Sequence, residues 1–120
     1  MEVKFESSIT AVGRHARTFL DNNNSVIILN DGAHPNLDDM VVRHVPADLT
    51  ADLEPGDRLK MGNTDFKVVT VGDMVNQSIR EEGHCTIVFN EEATMPGQIA
   101  VKGAIPPRLR LGDVIQFFKK

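Results

Sequence analysis

The chain has 120 residues, with thirteen Lys and Arg against seventeen Asp and Glu, a formal net charge of −4 and 41% hydrophobic residues. That length supplies one core, mainly aliphatic because six Phe stand without Trp or Tyr, and a single domain over residues 1–120 is expected. The acidic balance and the lack of a Lys/Arg cluster argue against a nucleic-acid partner. Cys85 alone cannot form an internal disulfide, and the absence of an apolar leader core or membrane-length run reads as cytoplasmic, without direct membrane insertion.

Apolar residues alternate with polar ones over short runs bounded by Gly, Pro, Asn and Asp, which is a strand-and-turn pattern. In chain order the expected strands cover 3–9, 25–30, 40–45, 57–61, 66–71, 84–89, 98–102 and 113–118. Turn signals stand at Asp31-Gly32, Pro55-Gly56, Met61-Gly62-Asn63 and Pro96-Gly97. Two short helices are expected: 14–20, with Ala16, Phe19 and Leu20 on one face, and 73–81, where Asp73 can cap and Val75 and Ile79 share a face. The fold class is therefore all-β, a small closed or partly closed antiparallel barrel of about eight strands with one or two short helices. Leu53-Glu-Pro-Gly-Asp-Arg-Leu59 and Leu109-Arg-Leu-Gly-Asp-Val-Ile115 echo one another, a weak signal of internal duplication because Gly-Asp turns before strands are common in barrels.

Four histidines carry the functional question. His15, between Arg14 and Arg17 in a polar segment, reads as solvated, and His34 lies in a loop after a strand, where exposure is again the simplest reading. His44 closes an apolar strand, with Met40 and Val42 on its face and Arg43 and Val45 on the other. A hydrogen-bonded histidine packed on a barrel wall accounts for that spacing, and so does a functional imidazole, suited to proton transfer, metal ligation or covalent phosphoryl carriage. His84 opens another strand with Thr86 on its face, so a His44/His84 pair across a groove is the natural geometric hypothesis.

A metal site using that pair lacks a third ligand: His84 and Cys85 point to opposite faces, and no His-x-x-x-His or Cys-x-x-Cys spacing occurs. No Gly-x-Ser-x-Gly elbow, Walker loop or dinucleotide fingerprint is present either. A phosphohistidine needs less: one nucleophilic nitrogen, donors for the phosphoryl oxygens and an apron on which partners can dock. A small-ligand or metal-binding barrel using His44 and His84, and a regulatory or assembly module without chemistry, are the alternatives.

The succession Gly32-Ala33, Leu37-Asp38-Asp39, His44, Leu49, Leu53, Pro55-Gly56, Val71-Gly72, Arg80, Gly83-His84, Thr86, Phe89, Pro96-Gly97, Val101, Gly103, Pro106, Gly112 and Phe117 resembles the glucitol/sorbitol-specific enzyme IIA component of the bacterial phosphoenolpyruvate-dependent sugar phosphotransferase system. The resemblance runs almost end to end. It implies that His44 is the phosphorylated histidine, accepting from phosphorylated HPr and donating to the IIB domain of a sugar-alcohol transporter, with no cofactor and no metal. The chain would be a component of a phosphotransferase system, not a free-standing enzyme.

His84 matches the family's Gly-His-x-Thr element and is the candidate supporting residue, with Thr86 a candidate donor to the phosphoryl group. Family members can carry a second histidine two residues after the first, whereas this chain reads His44-Val45-Pro46-Ala47, so support falls to His84 or to backbone amides, and a part for His34 stays open. The chemistry leads to the expectation that His44 sits in a shallow depression rimmed by Met40 and Val42, with a ring nitrogen open to solvent. Exposed strand edges in a small barrel make a homodimer a further expectation.

Overall fold

A sheet closed into a barrel gives every strand one inward face that must be apolar, and the alternation along this chain supplies it. The computed structural model describes residues 1–120. Its strands are β1 (Glu2–Val12), β2 (Ser25–Asn30), β3 (Val42–His44), β4 (Arg58–Met61), β5 (Thr64–Val71), β6 (Cys85–Phe89), β7 (Gln98–Lys102) and β8 (Val114–Lys119). Helix α1 (Ala16–Asn23) joins β1 to β2, and α2 (Val75–Glu82) joins β5 to β6. The sheet closes in the order β1-β3-β2-β6-β7-β5-β4-β8.

Eight strands and two helices match the expected elements, but the pairing is mixed. β2/β3 and β6/β7 are parallel, and the remaining pairs are antiparallel. A parallel neighbour requires the chain to travel back along the barrel before starting its next strand. Residues 31–41, with one 3₁₀ turn at Pro35–Leu37, make that return between β2 and β3. Met40 belongs to this crossover, its N–H bonded to Leu37 O at 3.0 Å, so the expected strand 40–45 is shortened to β3. His84 likewise falls outside β6, because its N–H is drawn back to Ser78 O at the end of α2.

The halves repeat each other. Ile9, Ala11 and Val12 pair with His44, Arg43 and Val42 around a register shift, and Val68, Thr70 and Val71 pair with Val101, Ala100 and Ile99 around the same shift. In parallel register, Ile28 and Asn30 face Val42 and His44, as Ile87 and Phe89 face Ile99 and Val101. Gly13 and Gly72, just before the two helices, have no room for a side chain: a Cβ would lie 2.5 Å from Asp38 O and 2.2 Å from Pro96 O. The Gly-Asp echo belongs to the same relation, since Gly112 N–H reaches Ile9 O and Ile9 N–H reaches Asp113 O, as Gly56 N–H reaches Val68 O and Val68 N–H reaches Asp57 O. The duplication hinted at by two heptapeptides therefore extends through the barrel.

The core is a 23-residue cluster that includes Phe5, Phe66 and Phe117, with Ala16 and Leu20 of α1 and Val75 and Ile79 of α2 closing over it. Each such large apolar side chain contributes about 1.5–3 kcal/mol on leaving water. One ion pair is taken inside: Lys4 Nζ lies 2.8 Å from Asp57 Oδ2, with both side chains buried. Lys4 also donates to Asp52 O, and Asp57 accepts from Glu54 N–H, so the pair is hydrogen-bonded beyond the charge contact. No helix is long and apolar enough to cross a membrane.

Candidate functional site

β3 is short and lies between β1 and β2, so His44 is opposed by Ile9 on one side and Asn30 on the other. Alternation turns its imidazole inward beside Val42, where it is 0% exposed and stands edge-on to Phe5 with ring centroids 5.5 Å apart. Nδ1 lies 2.9 Å from Val45 O, and Nε2 lies 2.8 Å from Gly83 O. Both ring nitrogens therefore meet carbonyl oxygens. A neutral imidazole has one N–H and can donate to one of them, while only an imidazolium donates to both.

The expected shallow depression with a nitrogen open to solvent is thus absent in this state. Val42 belongs to the core rather than to a rim, and Met40 lies in the crossover. The covering element is Gly83, which ends α2 in the left-handed region at φ 62°. A Cβ there would come within 2.0 Å of Asn30 Oδ1 and 2.7 Å of His44 Cε1, so glycine is demanded by space as well as by conformation.

Arg43 faces the other way and is nearly as buried. Its guanidinium donates to the carbonyls of Asn30, Ala33 and His34 and to Asp38, holding the crossover against β3. The charge nearest His44 in sequence is thereby committed to the loop. Outside Gly83 lies a polar cluster: His34 Nε2 meets Glu82 Oε1 at 2.8 Å, tying the crossover to the end of α2. His84 Nδ1 meets Ser78 Oγ at 3.1 Å.

The hydrogen bond from His34 holds the Glu82 carboxyl below its ordinary range. Partial burial pushes His84 down, against the opposing pull of Glu82, which favours its neutral form. Cys85, wholly buried, is pushed up to about 12 and is inert as a thiolate.

His44 and His84 come to the same corner of the barrel, but not ring to ring. The contact runs through the main chain, since the carbonyl that meets His44 belongs to the residue preceding His84. Thr86 is not brought to His44: Cys85 and Ile87 point into the core, so alternation turns Thr86 to the outer side of β6. His15 is exposed at the start of α1, and His34 is half-exposed. No group of three or more His, Cys, Asp or Glu side chains converges in a way that could hold a metal ion.

Sequence reasoning passed over Asn30. Its side chain packs against Gly83 beside His44 Cε1, and its buried Oδ1 has no hydrogen-bond partner. The available signal was a polar residue closing the apolar run Val26-Ile-Ile-Leu29, on the strand that turned out to neighbour β3.

Comparison with known proteins gives the same frame. Residues 4–116 match the family described as PTS system glucitol/sorbitol-specific IIA component. The PTS system glucitol/sorbitol-specific EIIA components of Shigella flexneri and of Escherichia coli (strain K12) are each 30% identical to the chain over 119 residues, covering 98% of it and 96% of their own length. A crystal structure of a PTS system IIA component from Enterococcus faecalis V583 shares the fold, with a TM-score of 0.82 at 21% identity over 94% of this chain and 98% of that one. The chain belongs to the family of glucitol/sorbitol-specific IIA components of the PTS system.

Proposed function

We propose that the chain is a phosphoryl carrier that accepts a phosphoryl group from phosphorylated HPr on His44 and passes it to the IIB domain of a sugar-alcohol transporter, glucitol/sorbitol being the specificity in its relatives' names. The observation that carries this reading is the environment of His44: an imidazole seated in apolar packing with Phe5, held only by main-chain carbonyls, one of them at the buried glycine that ends α2.

Nδ1 is closed in by its own strand, where Val45 O also accepts from the Ser7 hydroxyl. Nε2 is covered by the carbonyl of Gly83, the glycine C-cap that ends α2. In the closed turn Nε2–H donates to Gly83 O; when the Gly83 peptide rotates, that bond breaks and the ring changes tautomer, the proton leaving Nε2 and Nδ1–H now donating to Val45 O, so that the lone pair resides on an uncovered Nε2. Nε2 then attacks phosphorus: a new N–P bond forms as the P–N bond to the HPr histidine breaks. That bond's electron pair stays on the HPr imidazole, which takes up a proton.

Delivery to the IIB domain reverses the same geometry. Tight fixation of the phosphoryl group would stall that second step, and the commitment of Arg43 to the crossover fits an easily released group. His84, neutral and half-buried next to Gly83, supports the site from outside by fixing the turn that must open.

Incubation with phosphoenolpyruvate, enzyme I and HPr tests the reading. One phosphate per chain, acid-labile, alkali-stable and mapped to His44 is the expected result. No incorporation, or label on His84 in the wild-type chain, overturns it.

A further inference from the structure

We infer that Asn30 binds the phosphoryl group carried on His44, its side-chain amide donating hydrogen bonds to the phosphoryl oxygens; the inference rests on the phosphocarrier reading above.

Asn30 is the parallel-register partner of His44 on the adjoining strand. Its Oδ1 and Cγ and the Cε1 of His44 all lie within 2.7 Å of the point where a Gly83 Cβ would stand, so amide and imidazole share one small space beneath the turn. Oδ1 is buried without a partner. A buried unsatisfied polar atom is a standing loss of stability, and such a group calls for an explanation.

The internal repeat supplies a control for whether the fold needs it. At the corresponding place in the other half, Phe89 faces Val101 in the same parallel register and stacks edge-on against Phe66 at 5.0 Å. The architecture thus accepts a fully apolar residue at this station. The half that carries the histidine carries the amide with it, and the half without the histidine has neither.

In the resting state the amide has no group to serve. A phosphoryl group on Nε2 brings oxygens to the Cε1–Nε2 edge of the ring, which Asn30 borders. It is Oδ1 that faces Cε1 in the unphosphorylated chain, so the amide turns about its Cβ–Cγ bond when the phosphoryl group arrives, and its NH2 group then donates to the phosphoryl oxygens while remaining uncharged. That provides a modest, reversible hold of the kind a relay needs, in contrast to a fixed cation. It also fills the place in which Thr86 was expected.

Three measurements on the full chain test this: the rate of acceptance from phosphorylated HPr, the phosphorus NMR signal of the phosphorylated protein, and its hydrolytic lifetime. Asn30→Leu imitates Phe89 and removes the orphaned oxygen, so it is expected to fold with unchanged or higher thermal stability. Its acceptance should nevertheless fall about 10- to 100-fold, the range lost with one hydrogen bond to a charged group. Its phosphorus signal should be displaced and its phosphohistidine shorter-lived.

Asn30→Asp, which keeps the shape and loses the donors, should be impaired at least as much. In the wild-type chain, the Asn30 side-chain amide proton resonances should shift on phosphorylation, a readout that needs no variant. Wild-type rates and an unaltered phosphorus signal in Asn30→Leu, or unmoved Asn30 amide protons in the phosphorylated wild type, overturn the inference. Label on a residue other than His44 in the wild type overturns the phosphocarrier reading itself, and is seen before any Asn30 variant is made.

Discussion

His44 Nε2 and the carbonyl oxygen of Gly83 lie 2.8 Å apart and join β3 to the end of α2 through a bond buried in the barrel wall. The nitrogen proposed to take the phosphoryl group is therefore also a structural tie. Stability and chemistry are coupled at this one contact, and the coupling sets what substitutions here should do.

Replacing His44 with Ala removes the proposed phosphoryl acceptor, and a histidine exposed in a shallow depression would be lost without cost to the fold. Full burial changes that expectation, because the substitution leaves a void beside Phe5 and takes the only side-chain donor from Gly83 O. A loss of about 2–4 kcal/mol is expected from cavity and unsatisfied carbonyl together. Urea unfolding of His44→Ala measures it, and a variant as stable as wild type would show that the ring packs loosely.

At Gly83 two penalties coincide, a left-handed backbone and a collision with Asn30. Gly83→Ala should destabilise by about 2–4 kcal/mol in the wild-type background. With Asn30→Ala removing the nearest of the collisions, the added cost of Gly83→Ala should fall by about 1 kcal/mol, leaving the left-handed strain and the 2.7 Å approach to His44 Cε1. A double-mutant cycle by chemical denaturation reads the difference, and strict additivity would mean that the side chain of Asn30 is not what occupies the space.

The Lys4–Asp57 pair is buried and satisfied, so breaking one side strands the other. Lys4→Met should cost about 3–5 kcal/mol, while Lys4→Met combined with Asp57→Asn should cost less than the two single changes summed. Thermal unfolding of the four proteins is the check. A cost for Lys4→Met below about 1 kcal/mol, the value of an exposed pair, would place these charges in contact with solvent.

His84 gives a pH signature of definite sign. Burial lowers its folded-state pKa below the ordinary 6.5, so the unfolded chain binds a proton more readily in the interval between the two values. Its contribution is therefore complete above 6.5 and declines as pH falls through that interval. His84→Gln should flatten the thermal stability profile on the acid side of neutrality and leave the alkaline side unchanged. An unchanged acid limb would show that other groups account for it. Glu82 acts in the same direction further down, since its lowered carboxyl loses the His34 contact only when protonated in more acid solution.

What the sequence determined by itself was the local grammar. Alternating apolar residues and Gly, Asp and Pro turns located the strands, and the apolar spacings Ala16/Leu20 and Val75/Ile79 located both helices, because these signals are short-range and each residue carries its own propensity. Ser25–Asn30 and Gln98–Lys102 were legible residue for residue. The tertiary structure alone decided which strands became neighbours. Two parallel pairs arise because residues 31–41 and 90–97 cross over rather than turn back, and no local pattern records that choice.

The site divides along the same line. His44 was singled out by its place on an apolar strand and by resemblance, but its depth, its Gly83 cover and the company of Asn30 depend on strands distant in sequence meeting in one register. Thr86 was misplaced for a related reason: alternation told which residues share a face of β6, but not which of the two faces the closed barrel would turn toward His44.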